Sequence, residues 1–204
     1  MNQRPEALIF DFDGVLADTE RLHWKAWATL FASHGIEFSW EDYCKVGRGV
    51  PDERMLESIA QLVANSSLLA RIQSELPAQR QMVEGFWREK LPIGEATIQL
   101  LQELKGYRLG LVTTSNRADV EPMLGSAGIA DCFSAAVFGE DTIHHKPHPA
   151  PYMLIRDRLG IRGGVVFEDS EAGLQSAKQA GFEVLRVPAP EDLPGIVRTY
   201  VGLS

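Results

Sequence analysis

Cysteine is scarce: the 204-residue chain holds two. Cys44 and Cys132 form no CxxC pair, which argues against a structural zinc frame and a disulfide scaffold. Both read as small buried hydrophobes, the usual fate of a free cysteine. Long apolar runs are also missing. The amino-terminal one, Ala7-Leu-Ile-Phe10, is far shorter than the roughly 18 residues of a membrane span. Met1 to Glu6 shows no basic stretch leading into an apolar core, so no secretory signal is expected and the cytoplasm is the expected location. Positive charge is in deficit, with 20 Lys and Arg against 28 Asp and Glu and a net charge of −8. That balance disfavours a general nucleic-acid binder. It leaves room for a small anionic ligand, provided a metal or a well-placed lysine supplies local positive charge.

Apolar residues make up 45% and charged residues 24% of the chain, an ordinary globular balance. The length suits one domain, or one domain carrying a smaller one. Nothing in the composition sets an oligomeric state, and a monomer is compatible with it. Short continuous apolar runs read as strands buried on both faces: Ala7 to Phe10, Arg108 to Thr114, Ala135 to Phe138, Gly164 to Phe167 and Glu183 to Val187. Helical patterns follow at Asn116 to Ala127, Ala150 to Leu159 and Ser170 to Ala180, with Gly128 and Gly181 as stops. This alternation predicts an α/β fold, a Rossmann-like parallel sheet flanked by helices.

Residues 17–91 break that rhythm. Leu22, Trp24, Trp27, Leu30 and Phe31, then Met55, Leu56, Ile59 and Leu62, recur at helical spacing with no strand between them. They predict an inserted all-helical domain with its own core. Pro92 and Gly94 mark the return. The expected division is therefore 1–16 with 92–204 for the sheet, and 17–91 for the helical insertion.

The polar residues gather where strands end. Asp11 and Asp13 follow the first strand, Thr113-Thr114-Ser115-Asn116 the second, Lys146 the third, and Glu168-Asp169 the fourth. In open parallel sheets the carboxyl ends of the strands are where ligands bind. Asp11, Asp13, Glu168 and Asp169 cannot all stay ionised unaided. A like-charged pair at about 4 Å costs about 4 kcal/mol even at an effective dielectric near 20. A hard divalent cation such as Mg2+, which prefers oxygen ligands, answers that repulsion and also meets phosphate. Hydroxyls of Thr113 and Ser115, with backbone N–H groups at a helix start, suit an anion's oxygens. The site reads as built for a phosphoryl group.

Asp11-Phe-Asp-Gly-Val-Leu-Ala-Asp-Thr-Glu20 resembles the first motif of the haloacid dehalogenase-like hydrolase superfamily. Thr113, Lys146 and Glu168-Asp169 resemble its second, third and fourth motifs, in order and across the whole chain. Phe167-Glu-Asp-Ser-Glu-Ala-Gly173, with Asp18-Thr-Glu20, His23 and Ala26-Trp27, is similar to the helical-cap subgroup that holds β-phosphoglucomutase-like and phosphoglycolate phosphatase-like members. The resemblance implies a Mg2+-dependent phosphatase of a small phosphorylated metabolite, such as a sugar phosphate or phosphoglycolate. The alternative is a phosphomutase. It implies Asp11 as nucleophile, forming an aspartyl-phosphate, and Asp13 as general acid and then base. Thr113 would hold phosphoryl oxygens and Lys146 would neutralise their charge. Asp11, the Asp13 main-chain carbonyl, Glu168 and Asp169 would hold Mg2+, while Thr114, Ser115, Asn116, His23 and Arg48 are candidates for the substrate.

Some positions depart from the pattern. Lys146-Pro-His-Pro-Ala150 lacks the aspartate that usually closes the third motif. His144, His145 and His148 are dense enough to raise a transition-metal site, although no HExxH or CxxC frame accompanies them. His23 reads equally as a half-buried histidine beside Trp24 and Trp27, and Arg48 equally as a solvated side chain. A mutase would need a cationic clamp for a second phosphate, for which Arg48 with Arg117 or Lys25 are the candidates. The basic-asparagine pair of the mutase cap is matched imperfectly around Arg80, which favours hydrolysis.

Overall fold

Four apolar residues in succession leave a strand no polar face, and in the computed structural model Ala7–Phe10 is the fully buried central strand, β1. The structure describes residues 4–47, 55–59 and 66–203. Arg108–Val112 (β2), Ala135–Val137 (β3), Val165–Glu168 (β4) and Glu183–Arg186 (β5) complete a parallel sheet of order β3-β2-β1-β4-β5. Phe10 lies opposite Leu111 on one side and Phe167 on the other. The order reverses at β1, which opens a crevice at the carboxyl edge between diverging connections.

Alternation sends β1 side chains to two cores. Ala7 and Ile9 pack with Val112, Val137 and Val166 against Tyr152, Ile155 and Leu159 of α7 (Ala150–Leu159) and Ala177 of α8 (Glu171–Gln179). On the other face Phe10 stacks on Phe167, ring centroids 5.0 Å apart, and Tyr200 of α9 (Leu193–Val201) meets Phe167 edge-on. α5 (Glu95–Glu103) is tied to α9 by the Arg198–Glu103 ion pair, and α6 (Arg117–Ser126) follows β2. The α/β architecture is the expected one. The sequence pattern does not single out α5 and α9. For α9 the reason is Leu193-Pro-Gly195, which reads as a turn, yet proline is tolerated in a first helical turn.

The chain divides into two compact units, Met1–Asp18 with Leu91–Ser204, and Thr19–Lys90. The ends of the second unit leave and rejoin the first side by side, since the Asp18 N–H donates to the Pro92 carbonyl at 2.9 Å. The described part of this second unit is helical: α1 (Glu20–Ser33), α2 (Trp40–Val46), residues 55–59, α3 (Ser66–Ser74) and α4 (Leu76–Glu89). Trp27, Leu30, Phe31, Phe38, Tyr43, Met55, Leu56, Ile59 and Ile72 form its core. Leu62 lies outside the described residues. Among those described, no helix is long and apolar enough to cross a membrane.

The expected burial of the cysteines is corrected. Cys44 is exposed and Cys132 half-buried. On the short helix α2 the buried position is Tyr43, and the next residue is turned about 100° away from it.

Candidate active site

Each residue of the site leaves the sheet at the same edge because the backbone ladder continues just past the strands. The Asp11 N–H donates to the Phe167 carbonyl at 3.0 Å, Thr113 N–H to Val137 at 3.0 Å, and Val187 N–H to Glu168 at 2.8 Å. Asp11 is buried at 6% exposure and Glu168 at 0%. Between them sits Lys146, whose Nζ donates to Asp11 Oδ1 at 2.6 Å, Glu168 Oε1 at 2.6 Å and the Val112 carbonyl at 3.2 Å. The three ammonium hydrogens are thus all directed at acceptors. Glu168 is held from four sides. Tyr152 Oη donates to Oε1 at 3.1 Å, beside the lysine, and the Ser170 N–H and hydroxyl both donate to Oε2 at 3.0 Å.

Two glycines make room for this packing. Gly14 has φ +77°, a left-handed conformation, and a Cβ there would strike the Asp169 carboxylate. A Cβ on Gly173, in the first turn of α8, would overlap the Glu168 carboxylate. Asp11, Glu168 and Asp169 each present an oxygen so that the three lie within 4.8 Å of one another. This is an all-oxygen donor set of the kind a hard divalent cation takes.

The electrostatics follow from one lysine among several carboxylates. Burial pushes the Asp11 carboxyl well above the ordinary range; Lys146 pulls it back, while Glu168 and Asp13 raise it further. Burial also works against the Lys146 ammonium, but Asp11, Tyr152 and Glu168 hold it well above its usual value. For Glu168 burial again raises the pKa, and Lys146 with the Ser170 hydrogen bonds brings it below normal.

Asp13 sits in different surroundings. Ser115 Oγ donates to its Oδ2 at 2.6 Å and Thr113 Oγ1 to the same oxygen at 3.2 Å. The Ser115 N–H in turn donates to Thr113 Oγ1 at 2.9 Å. The sequence places the Thr113 and Ser115 hydroxyls toward a phosphoryl group; the structure brings both to Asp13. No motif announces that pairing, and only the hydroxyls' place beside Asp13 could have suggested it. Likewise, only the apolar-facing phase of α7 hinted at Tyr152 beneath the cluster. The Asp13 carboxylate is outside the three-oxygen cluster. Thr114 is exposed, and Asn116 is the exposed N-cap position of α6.

The remaining candidates are scattered. His23 is half-buried on α1, in the helical unit, and Arg48 lies outside the described residues. Of the clamp candidates, Arg117 bonds Glu121 at 2.8 Å, lies 3.5 Å from Asp141 and stacks on Phe138. Lys25 stands over the Phe86 ring. His144 and His148 face each other with ring centroids 4.6 Å apart and are exposed, as is His145. Among the described residues these histidines do not converge as a three-ligand set.

Comparison with known proteins adds to this geometry. The model of the family described as haloacid dehalogenase-like hydrolase matches residues 8–187. The chain is 32% identical over 193 residues to fructose-1-phosphate phosphatase YqaB of Escherichia coli, covering 92% of this chain and 98% of that protein. It is 29% identical over 180 residues to a phosphorylated carbohydrates phosphatase of Thermotoga maritima, covering 87% and 82%. The crystal structure of CbbY from Rhodobacter sphaeroides in complex with phosphate superposes with a TM-score of 0.72 at 27% identity, over 91% of this chain and 87% of that one.

Proposed function

Because this chain belongs to the haloacid dehalogenase-like hydrolase family, we propose that it hydrolyses a small phosphorylated sugar or a similar metabolite through a phosphoaspartyl intermediate on Asp11, with Mg2+ as cofactor. Its named relatives make it a phosphoric monoester hydrolase. The observation that carries the finer reading is the contrast between two carboxylates two residues apart. Asp11 lies against Lys146 in a cluster able to take a cation, whereas Asp13 is turned to hydroxyl donors outside it. Two carboxylates in unlike environments take unlike roles.

In the first step the Asp11 carboxylate attacks phosphorus, the bond from phosphorus to the leaving oxygen breaks, and that oxygen takes the proton of Asp13. In the second, Asp13 accepts a proton from water as the water oxygen attacks the phosphoaspartate. The phosphorus–Asp11 bond breaks, releasing phosphate and restoring both side chains. Lys146 offsets charge on the phosphoryl oxygens and on Asp11, and Thr113 contributes a hydroxyl. The donor set fits Mg2+: Asp11 and Asp169, with Glu168 and the Asp13 main-chain carbonyl, would hold it. Bound there, the ion would supply positive charge to phosphoryl oxygens and relieve the carboxylate repulsion. His23 and Arg48, in the helical unit, are the positions to vary for substrate choice.

The test is a screen of phosphate monoesters with Mg2+, starting from fructose 1-phosphate and other sugar phosphates, reading released phosphate. Release from at least one sugar phosphate, abolished by EDTA and restored by Mg2+, is expected. Absence of release from every ester, p-nitrophenyl phosphate included, would overturn the proposal. A parallel incubation with β-glucose 1-phosphate and a trace of glucose 1,6-bisphosphate is expected to yield no stoichiometric glucose 6-phosphate. Its rapid appearance would assign a mutase.

A further inference from the structure

Ser115 offers one hydroxyl hydrogen, and the structure directs it at Asp13 Oδ2 over 2.6 Å, shorter than the 3.2 Å contact from Thr113 Oγ1 to the same oxygen. A hydroxyl has a single hydrogen to donate, so the one given to Asp13 is not given to a phosphoryl oxygen at the same time. The backbone of Ser115 is pinned on both sides. Its N–H donates to Thr113 Oγ1 at 2.9 Å, and its carbonyl accepts from the Gly139 N–H at 2.9 Å. The hydroxyl is therefore delivered from a fixed point between β2 and α6, not from a free loop tip. Thr113 differs: its contact to Asp13 is 3.2 Å, long for a pair of oxygens, so turning toward a phosphoryl group costs it little.

We propose that Ser115 is a positioning residue for the acid–base carboxylate, fixing Asp13 Oδ2 and with it the orientation from which Asp13 delivers its proton. This rests on the phosphatase reading above and assigns Ser115 a role other than contact with the substrate. In the first step the proton passes from Asp13 to the leaving oxygen as the phosphorus–oxygen bond breaks. Ser115 keeps its own proton throughout and gains or loses no bond to phosphorus. The Ser115 hydrogen bond strengthens as Asp13 gives up its proton and becomes a carboxylate, so its loss should be felt mainly where proton delivery limits the reaction.

The experiment compares kcat/KM for phenyl phosphate and p-nitrophenyl phosphate, two esters of nearly the same shape. Phenolate is the poor leaving group that needs a proton, and nitrophenolate departs without one. kcat/KM reports the first phosphoryl transfer, and the ratio for the two esters is independent of how much protein is correctly folded. Asp13→Asn sets the scale, with a loss on phenyl phosphate of ~100-fold or more beyond that on the nitro ester, the usual size of general acid catalysis. Ser115→Ala is expected to lose ~10-fold more on phenyl phosphate than on the nitro ester, the size of one hydrogen bond to a charged group. Ser115→Thr, which keeps the hydroxyl, should restore most of the ratio. If Asp13→Asn shows the selective loss and Ser115→Ala leaves the ratio at the wild-type value, the positioning role is wrong while the phosphatase reading stands. A wild-type protein inactive on both esters, or Asp13→Asn losing equally on both, would overturn the reading beneath it.

Discussion

Lys146 brings one positive charge to a pocket where Asp11 and Glu168 each lie 2.6 Å from its Nζ, and that shortfall sets how the site responds to pH. A carboxyl whose pKa is raised on folding, as for Asp11, binds more protons folded than unfolded between its two pKa values. Its contribution to stability is full below the unfolded value and is lost as pH rises through the folded one. Glu168, held below normal, behaves oppositely: its contribution is present above the ordinary carboxylate range and is lost as pH falls. Metal-free protein should therefore lose stability as pH climbs out of the carboxylate range. Asp11→Asn should flatten that slope in thermal melts of metal-free protein above the ordinary carboxylate range. An identical slope in both proteins would show that Asp11 does not carry the effect. Gly173 makes a steric prediction in the same pocket. Gly173→Ala sets a methyl against the Glu168 carboxylate and should cost ~1–3 kcal/mol in urea unfolding, with weaker Mg2+ binding by calorimetry. Unchanged stability and affinity would mean that the carboxylate moves freely.

The elements were legible wherever one physical preference dominated. Runs such as Ala7 to Phe10 and Val165 to Phe167 have only one use in a folded chain, and β1 and β4 are built on them. Ala150–Leu159 has the bounds that its helical pattern predicts, and the structure closes it with Pro149 and a left-handed Gly160. The ends of the apolar runs by themselves place Asp11, Thr113, Lys146 and Glu168 at one edge. The direction of short side chains was not legible, because a hydroxyl's partner depends on a rotamer and on neighbours far along the chain. Ser115 and Asp13 are 102 positions apart, and no motif or spacing marks that they bond. Cys44 misled for a related reason, since composition favours burial and the phase of a seven-residue helix decides against it. The start of that helix supports a test. Ser39 accepts from the Asp42 N–H at 3.1 Å, and its own N–H donates to Asp42 Oδ2 at 3.1 Å, a reciprocal cap. Ser39→Ala should destabilise the helical unit by ~1 kcal/mol in chemical denaturation, and no change would show that α2 needs no cap.

The whole chain is a sheet unit interrupted once, between β1 and β2, by Thr19–Lys90. Because Asp18 and Pro92 are bonded directly, the interruption can be removed without stretching the sheet. Replacing residues 19–90 by a short Gly-Ser linker should give a protein that still melts cooperatively and retains the β signature in circular dichroism. A molten, non-cooperative product would show that the sheet unit needs the insertion to fold. Every carboxylate, hydroxyl and amine of the geometric cluster belongs to that sheet unit, so the chemistry is assigned there. The central claim is covalent attack by Asp11, and rapid quenching tests it directly. Wild-type protein mixed with an intact sugar phosphate that it turns over, and Mg2+, is stopped within one turnover, treated with borohydride, digested and read by mass spectrometry. The account predicts reduction of the trapped acyl phosphate to homoserine at position 11, absent from Asp11→Asn. Release of phosphate at the full rate with position 11 never modified at any quench time, or homoserine at another carboxylate, would contradict it.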